Sequence, residues 1–167
     1  MARLTSMADK IIKDLNQLAH HIEGLKKKNK KIVFTNGGFN ILHVGHIRSL
    51  RDAKSRGDVL VVAVNSDASL RLLKGEHYPI MPEDERLEIL SAIECVDVLT
   101  LFSEPTVTNL LLKIKPHIHA KGTDYTNESV PERETVLSYG GEIAIVGDAK
   151  DHSSASIISR IREWPAK

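Results

Sequence analysis

The sequence predicts an α/β domain built on a doubly wound parallel sheet of about five strands, with a helix added at the N-terminus. Two observations carry this. Short β-rich runs alternate with amphipathic helical segments from residue 31 onward, the order that yields parallel strands joined by right-handed crossovers. One run, Val59–Asn65, is apolar almost throughout, as expected of a strand covered on both faces.

The elements follow in order. Residues 1–10 carry little signal, and Met7 offers a second start, so they stay outside the fold reading. Ile11, Leu15, Leu18, Ile22 and Leu25 then recur at steps of three and four, the apolar stripe of a helix. It ends in Lys26, Lys27 and Lys28, cations suited to a helix C-terminus. The stripe can pack on its own domain or pair with another subunit. Strands are predicted at Lys31–Thr35, Val59–Asn65, Val96–Leu101, His117–Lys121 and Glu142–Val146. Helices are predicted at Val44–Ser55, Glu83–Ile93, Thr106–Lys115, Pro131–Tyr139 and Ser153–Glu163. Gly57, Pro82, Pro105, Pro116 and the pair Gly140-Gly141 punctuate them. In a Rossmann-like sheet of this kind, ligands bind beyond the strand C-terminal ends, where the strand order reverses.

Composition bounds the function. At 167 residues, with 41% hydrophobic and 27% charged residues, the chain is long enough for one cored domain and is neither disordered nor fibrous. Its 23 basic and 22 acidic residues leave a net charge of +1. No bulk electrostatic footprint therefore favours nucleic acid or an anionic membrane. No apolar run approaches the length of a membrane span, and the N-terminus lacks a secretory apolar core. The single cysteine, Cys95, forms no internal disulfide and points to a reducing, cytoplasmic setting.

The chemistry is expected where the first strand runs into Thr35-Asn36-Gly37-Gly38-Phe39-Asn40-Ile41-Leu42-His43-Val44-Gly45-His46. Gly37 and Gly38 permit a tight turn and a close backbone approach to a ligand. The helix after His43 would aim free N–H groups at that space, a setting that favours phosphate. His43 and His46, three residues apart, can face the same side and donate hydrogen bonds to phosphate oxygens. Gly45 lets a nucleotide lie close. Two other readings stand beside this one: a structural turn with incidental histidines, and a metal site. A metal would want carboxylate or thiolate partners at set spacing, and Asp52 is the one nearby.

Thr35–His46 resembles the His-x-Gly-His signature of the nucleotidyltransferase superfamily that includes the cytidylyltransferases. More narrowly, Lys31 to about Ile161 is similar to the adenylyltransferase domains that make ADP-heptose from D-glycero-β-D-manno-heptose 1-phosphate. Beyond the histidine motif the resemblance rests on Val64–Ser69, Leu73-Lys74-Gly75, Pro79, Arg86, Val96-Asp97, Lys121-Gly122, Asp124-Tyr125, Gly140–Glu142 and Ser153-Ser154 before Ile157-Ile158. It departs where the family usually has Cys-Phe-Asp and this chain has Gly38-Phe39-Asn40. It departs again at Tyr78, where Arg is usual, and at Ala155 in the late serine segment.

The resemblance implies an enzyme. A sugar 1-phosphate would attack the α-phosphorus of ATP and release pyrophosphate, giving ADP-heptose for the lipopolysaccharide core. Residues 1–30 would form an N-terminal segment and helix, and 31–167 the transferase domain. His43, His46 and Lys74 would be catalytic, with Lys74 clamping phosphate. Thr35, Asn36, Gly37, Gly38, Phe39, Gly45, Arg86, Lys121, Gly122, Asp124, Tyr125, Ser153 and Ser154 would bind nucleotide. Asn40, Asn65, Asp67 and Lys74 would meet the acceptor. Asn65, Ser66, Asp67 and Ser153 also suit helix caps, and Arg86 a surface ion pair. Mg²⁺ would arrive with ATP, with no dedicated protein metal site. A homo-oligomer and a separate sugar kinase upstream are further implications. A cytidylyltransferase, another adenylyltransferase with a different acceptor such as glycerol 3-phosphate, and a non-catalytic nucleotide-binding regulator are the alternatives. His20, His21, His77, His117, His119 and His152 read as structural or solvent-facing, with His152 also a candidate to border the nucleotide.

Overall fold

The computed structural model describes residues 7–149 and 151–165; residues 1–6, which precede the second start at Met7, lie outside them. Five parallel strands form one sheet: β1 (Ile32–Gly37), β2 (Val59–Asn65), β3 (Val98–Phe102), β4 (Ile118–Gly122) and β5 (Glu142–Val146). Their order is β3-β2-β1-β4-β5, the doubly wound arrangement expected. Val33 aligns with Leu60 on one side and Ile118 on the other. The order reverses between β1 and β4, so a crevice opens at their C-terminal ends.

Alternation along each strand builds two cores. Ile32, Phe34, Val59, Val61 and Ala63 face one layer; Val33, Leu60, Val62 and Val64 face the other, the two-residue period of a strand. The first layer is covered by α1 (Leu15–Lys27) and α5 (Thr108–Ile114). The second is covered by α2 (Val44–Ser55) and α4 (Glu83–Ser91). The chain also forms α3 (Asp67–Lys74), α6 (Arg133–Ser138) and α7 (Ser154–Arg162).

Helix α1 starts where Asp14 Oδ1 accepts from Gln17 N at 2.8 Å. Its stripe is occupied within the chain, since Leu18 and Ile22 are buried in the same core as β1 and β3. Lys26 reaches across to α5. Its Nζ donates to the carbonyls of Ile114 and Lys115 at 2.7 and 2.6 Å, where a helix leaves acceptors unmatched.

Element bounds differ from the sequence reading in places, most informatively at β3, β1 and α3. β3 begins at Val98, not Val96, because Val96 N closes a turn onto Ile93 O and Asp97 Oδ2 accepts from Leu60 N. β1 runs two residues further, to Gly37. The segment after Asn65-Ser66 is a full helix, α3, capped by Ser66 Oγ accepting from Ser69 N at 3.1 Å. Among the described residues no helix is long and apolar enough to cross a membrane.

Candidate active site

A cleft of about 390 Å³ opens at the reversal point. Its walls come from the start of α2 (His43, Gly45, His46, Ser49), from Lys74 at the end of α3, from Gly122–Asp124 after β4, and from residues flanking the start of α7. The elements meet here because every strand of a parallel sheet ends at the same edge.

The two imidazoles of α2 form a unit. His43 is the N-cap residue, and its backbone N–H donates to His46 Nδ1 at 3.3 Å. The bond assigns the proton of the neutral His46 ring to Nε2. The rings stack with centroids 3.9 Å apart. A Cβ on Gly45 would stand 3.1 Å from His43 ring atoms, so glycine makes room for that ring. Burial pushes His46 down to about 4, with the neighbouring His43 and Lys74 adding to the effect. His43 is lowered too, first by burial and then by His152. Both rings are therefore neutral N–H donors at neutral pH, and an incoming polyanion would draw both toward the imidazolium form. His43 Nδ1 meets no protein partner among the described residues.

The turn between β1 and α2 is built differently from expectation. Phe39, rather than either glycine, adopts the left-handed conformation, at φ 47°. Its ring packs on His46, centroids 5.2 Å apart. A Cβ on Gly38 would meet the Leu70 side chain at 2.9 Å. That glycine admits a neighbouring helix rather than a ligand, and neither Gly37 nor Gly38 lines the cleft.

Arg86 corrects the sequence reading most clearly. Its side chain is wholly buried. Nε donates to Met81 O at 3.0 Å, Nη1 to Gly38 O and Asn65 O at 2.6 and 2.8 Å, and Nη2 to Asp67 Oδ1 at 2.8 Å. Four of its N–H groups are thus consumed by the ends of β1 and β2, the start of α3 and the loop before α4. The guanidinium is a clamp that shapes the rim and is not presented to a phosphate. Asn65 and Asp67 belong to the same clamp: Asn65 Nδ2 donates to Ser69 Oγ at 3.0 Å, and Asp67 N donates to Glu83 Oε2 at 2.7 Å. Asn40 is buried and accepts from Ile80 N at 2.6 Å, which ties the loop 75–82 to the turn. Neither Asn40 nor Asn65 nor Asp67 lines the cleft; of the residues expected to meet the acceptor, Lys74 alone does. Lys74 is exposed there, its Nζ 5.7 Å from the centre of the Tyr78 ring.

On the other side of the reversal point, Asn36 Oδ1 lies 3.2 Å from His119 Nε2 and accepts from Lys121 Nζ at 3.3 Å. Lys121 also pairs with Glu132 at 3.4 Å and sits 5.0 Å from the centre of the Tyr125 ring. Lys121, Glu132 and His119 are all buried. This network braces β1 against β4, and Asn36, Lys121 and Tyr125 do not line the cleft, whereas Gly122 and Asp124 do. Thr35 lies in β1 outside the lining. His119 is structural, one of the two placements the sequence offers for it, while the sequence carries no sign of Glu132's role. The signal available for His119 was the register that sets it beside Phe34 in the sheet interior.

At α7, Ser153 Oγ accepts from Ser156 N at 3.0 Å, an N-cap. Ser154 Oγ donates to Ile41 O at 3.1 Å, so α7 is fastened to the turn that precedes α2. Asp148 pairs with Arg48. Gly147, at φ 92°, leaves room for Ser49 where any Cβ would collide with its Oγ. Among the described residues no three carboxylate, imidazole or thiol groups converge to hold a metal unaided. Asp148 and Asp151 do line the cleft, and carboxylate oxygens suit a hard cation whose other ligands come from phosphate and water.

Residues 34–159 fit the cytidylyltransferase-like family model. The chain belongs to the cytidylyltransferase-like family. It is 48% identical over 158 residues to the bifunctional protein HldE of Pelobacter propionicus, which covers 95% of this chain and 32% of that protein. The chain spans about a third of the length of the curated relatives it matches. Among solved structures it is similar to the lipopolysaccharide core biosynthesis protein of Thermoplasma volcanium, with a TM-score of 0.63, 30% identity, and coverage of 72% of this chain and 99% of that one. A pantoate-β-alanine ligase of Francisella tularensis, complexed with an ATP analogue and β-alanine, shares the fold at a TM-score of 0.62 and 21% identity, covering 92% of this chain and 78% of that one.

Proposed function

We propose that this chain transfers AMP from ATP to heptose 1-phosphate, releasing pyrophosphate and giving ADP-heptose for lipopolysaccharide core synthesis. The observation that carries the reading is the stacked His43–His46 pair at the mouth of the cleft. Family membership and the likeness to HldE and to a lipopolysaccharide core biosynthesis protein support it. The acceptor phosphate is ionised at neutral pH, so no general base is needed. Its oxygen attacks the α-phosphorus in line as the bond to the β-phosphate breaks. Catalysis is then positioning and charge stabilisation. His46 Nε2–H and His43 donate to oxygens that gain charge, and Lys74 holds phosphate from the rim. Mg²⁺ enters with ATP, bound chiefly by the phosphates, with Asp124, Asp148 and Asp151 the carboxylates within the lining. A cytoplasmic homo-oligomer, supplied with its acceptor by a sugar kinase activity, completes the proposal.

The family description favours a second reading, in which CTP is the donor. A pyrophosphate-release assay with ATP and CTP against a panel of sugar 1-phosphates and glycerol 3-phosphate tests both. The first reading expects release with ATP and heptose 1-phosphate above every other pair. Preference for CTP or for glycerol 3-phosphate overturns it, as does the absence of release from all pairs.

A further inference from the structure

We propose that His152 is a third imidazole of this site and binds the β- and γ-phosphates, stabilising pyrophosphate as it leaves; the inference rests on the nucleotidyl-transfer reading. Four observations converge on it. His152 lines the same cleft as His43, His46 and Lys74. Its Cβ lies 3.6 Å from the position a Cβ on Gly45 would take, so it stands across from the first turn of α2. It is close enough to His43 to depress that ring's proton affinity. Its Nε2 lies 3.2 Å from Asp151 Oδ1, and both side chains are exposed, so this contact exchanges readily for an anion.

Of the neighbouring serines, Ser154 has its O–H committed to the protein, while Ser153 keeps its own. Ser153 Oγ accepts from Ser156 N as a cap, and Ser154 Oγ is spent on Ile41 O. His152 is the side chain left on this wall that can offer a ring N–H to a phosphate. In the transfer step a bond forms between the acceptor oxygen and the α-phosphorus. The bond from that phosphorus to the bridging oxygen breaks, and its electron pair leaves on the β-phosphate. No proton need be consumed. A donor at His152 would offset the charge on the departing group, where hydrogen bonds to ionised acceptors are strongest. His43 and His46 would then serve the α-phosphate and His152 the leaving group.

The test is calorimetric titration of the intact chain with inorganic pyrophosphate and with ATP, each with Mg²⁺, using wild type, His152→Ala and His152→Gln, alongside steady-state kinetics. His152→Ala should weaken pyrophosphate binding about tenfold and relieve product inhibition to a similar degree. The KM for the sugar phosphate should stay unchanged. His152→Gln, which keeps a donor, should recover part of the loss. Because the side chain is exposed, thermal melting of both variants should match wild type. Pyrophosphate affinity within twofold of wild type in His152→Ala overturns the proposal, and so does wild-type protein that binds neither probe. A wild type that binds pyrophosphate through His152 yet transfers nucleotide to no acceptor overturns the parent reading instead.

Discussion

The backbone N–H of His43 donates to His46 Nδ1 at 3.3 Å while the two rings stack at 3.9 Å. The contact does three things at once. It occupies one orphan N–H at the start of α2. It orients the His46 ring. It leaves Nε2–H as that ring's remaining donor. The motif's spacing is thus a helix-start geometry.

Acid should destabilise the protein through its histidines. Burial pushes His46 to about 4 and His119 to about 3, whereas both titrate near 6.5 when unfolded. Below pH 6.5 the unfolded chain takes up protons that the native state refuses, so stability is lost as pH falls. The contribution is complete above pH 6.5 and drains away toward pH 4 and pH 3, at up to about 1.4 kcal/mol per pH unit for each group. Urea denaturation from pH 7 to pH 4 should show a shallower slope for His119→Gln than for wild type. Equal slopes would remove His119 from the account.

Arg86 should matter for folding far more than an exposed ion pair does. Removing one partner of a buried charged network costs about 3–5 kcal/mol, and Arg86→Ala also strips four bonds from the rim. Lys13→Ala, which breaks the exposed pair with Asp84, should cost less than about 1 kcal/mol. Comparable losses in equilibrium unfolding would contradict the clamp.

Helix α1 should behave as core. Leu18→Ala should cost about 2–5 kcal/mol, and Lys26→Ala about 1 kcal/mol through the lost bonds to Ile114 and Lys115. Chemical denaturation checks both. A Leu18→Ala protein as stable as wild type would mean the stripe is not buried within the chain.

Asn40 should hold the loop 75–82 in place. Asn40→Ala removes the acceptor for Ile80 N and should speed hydrogen exchange of that amide about tenfold. Asn40→Asp, which keeps the acceptor, should not. Unchanged exchange in Asn40→Ala would show that the loop is anchored elsewhere.

Much of this architecture was legible because its cause is local. The strand-helix alternation, the almost wholly apolar β2 and the proline and glycine breaks located all five strands to within two residues at each end. Helix α3 was not legible as a helix. It is eight residues long and exposes Leu72 and Leu73, so it has too little apolar period to read, although Ser66 announced its cap. The cleft wall at His43, Gly45 and His46 follows from one contiguous motif. Arg86 was misplaced because burial of a guanidinium depends on four acceptors drawn from Gly38, Asn65, Asp67 and Met81, a convergence that no linear spacing encodes. Glu132 has no such signal for a related reason: its partner Lys121 meets Asn36 and His119 only when β1 pairs with β4. Gly38 was read as opening toward a ligand and instead admits Leu70, a neighbour 32 positions away in sequence.

Transient and steady-state kinetics of His46→Ala with ATP and heptose 1-phosphate bear most directly on the chemistry assigned to the cleft. The turnover number should fall by about 10²–10³, the loss typical of one preorganised donor, while ATP affinity changes little. Turnover near wild type, or a fall in ATP affinity that accounts for the whole loss, would contradict the role given to this imidazole.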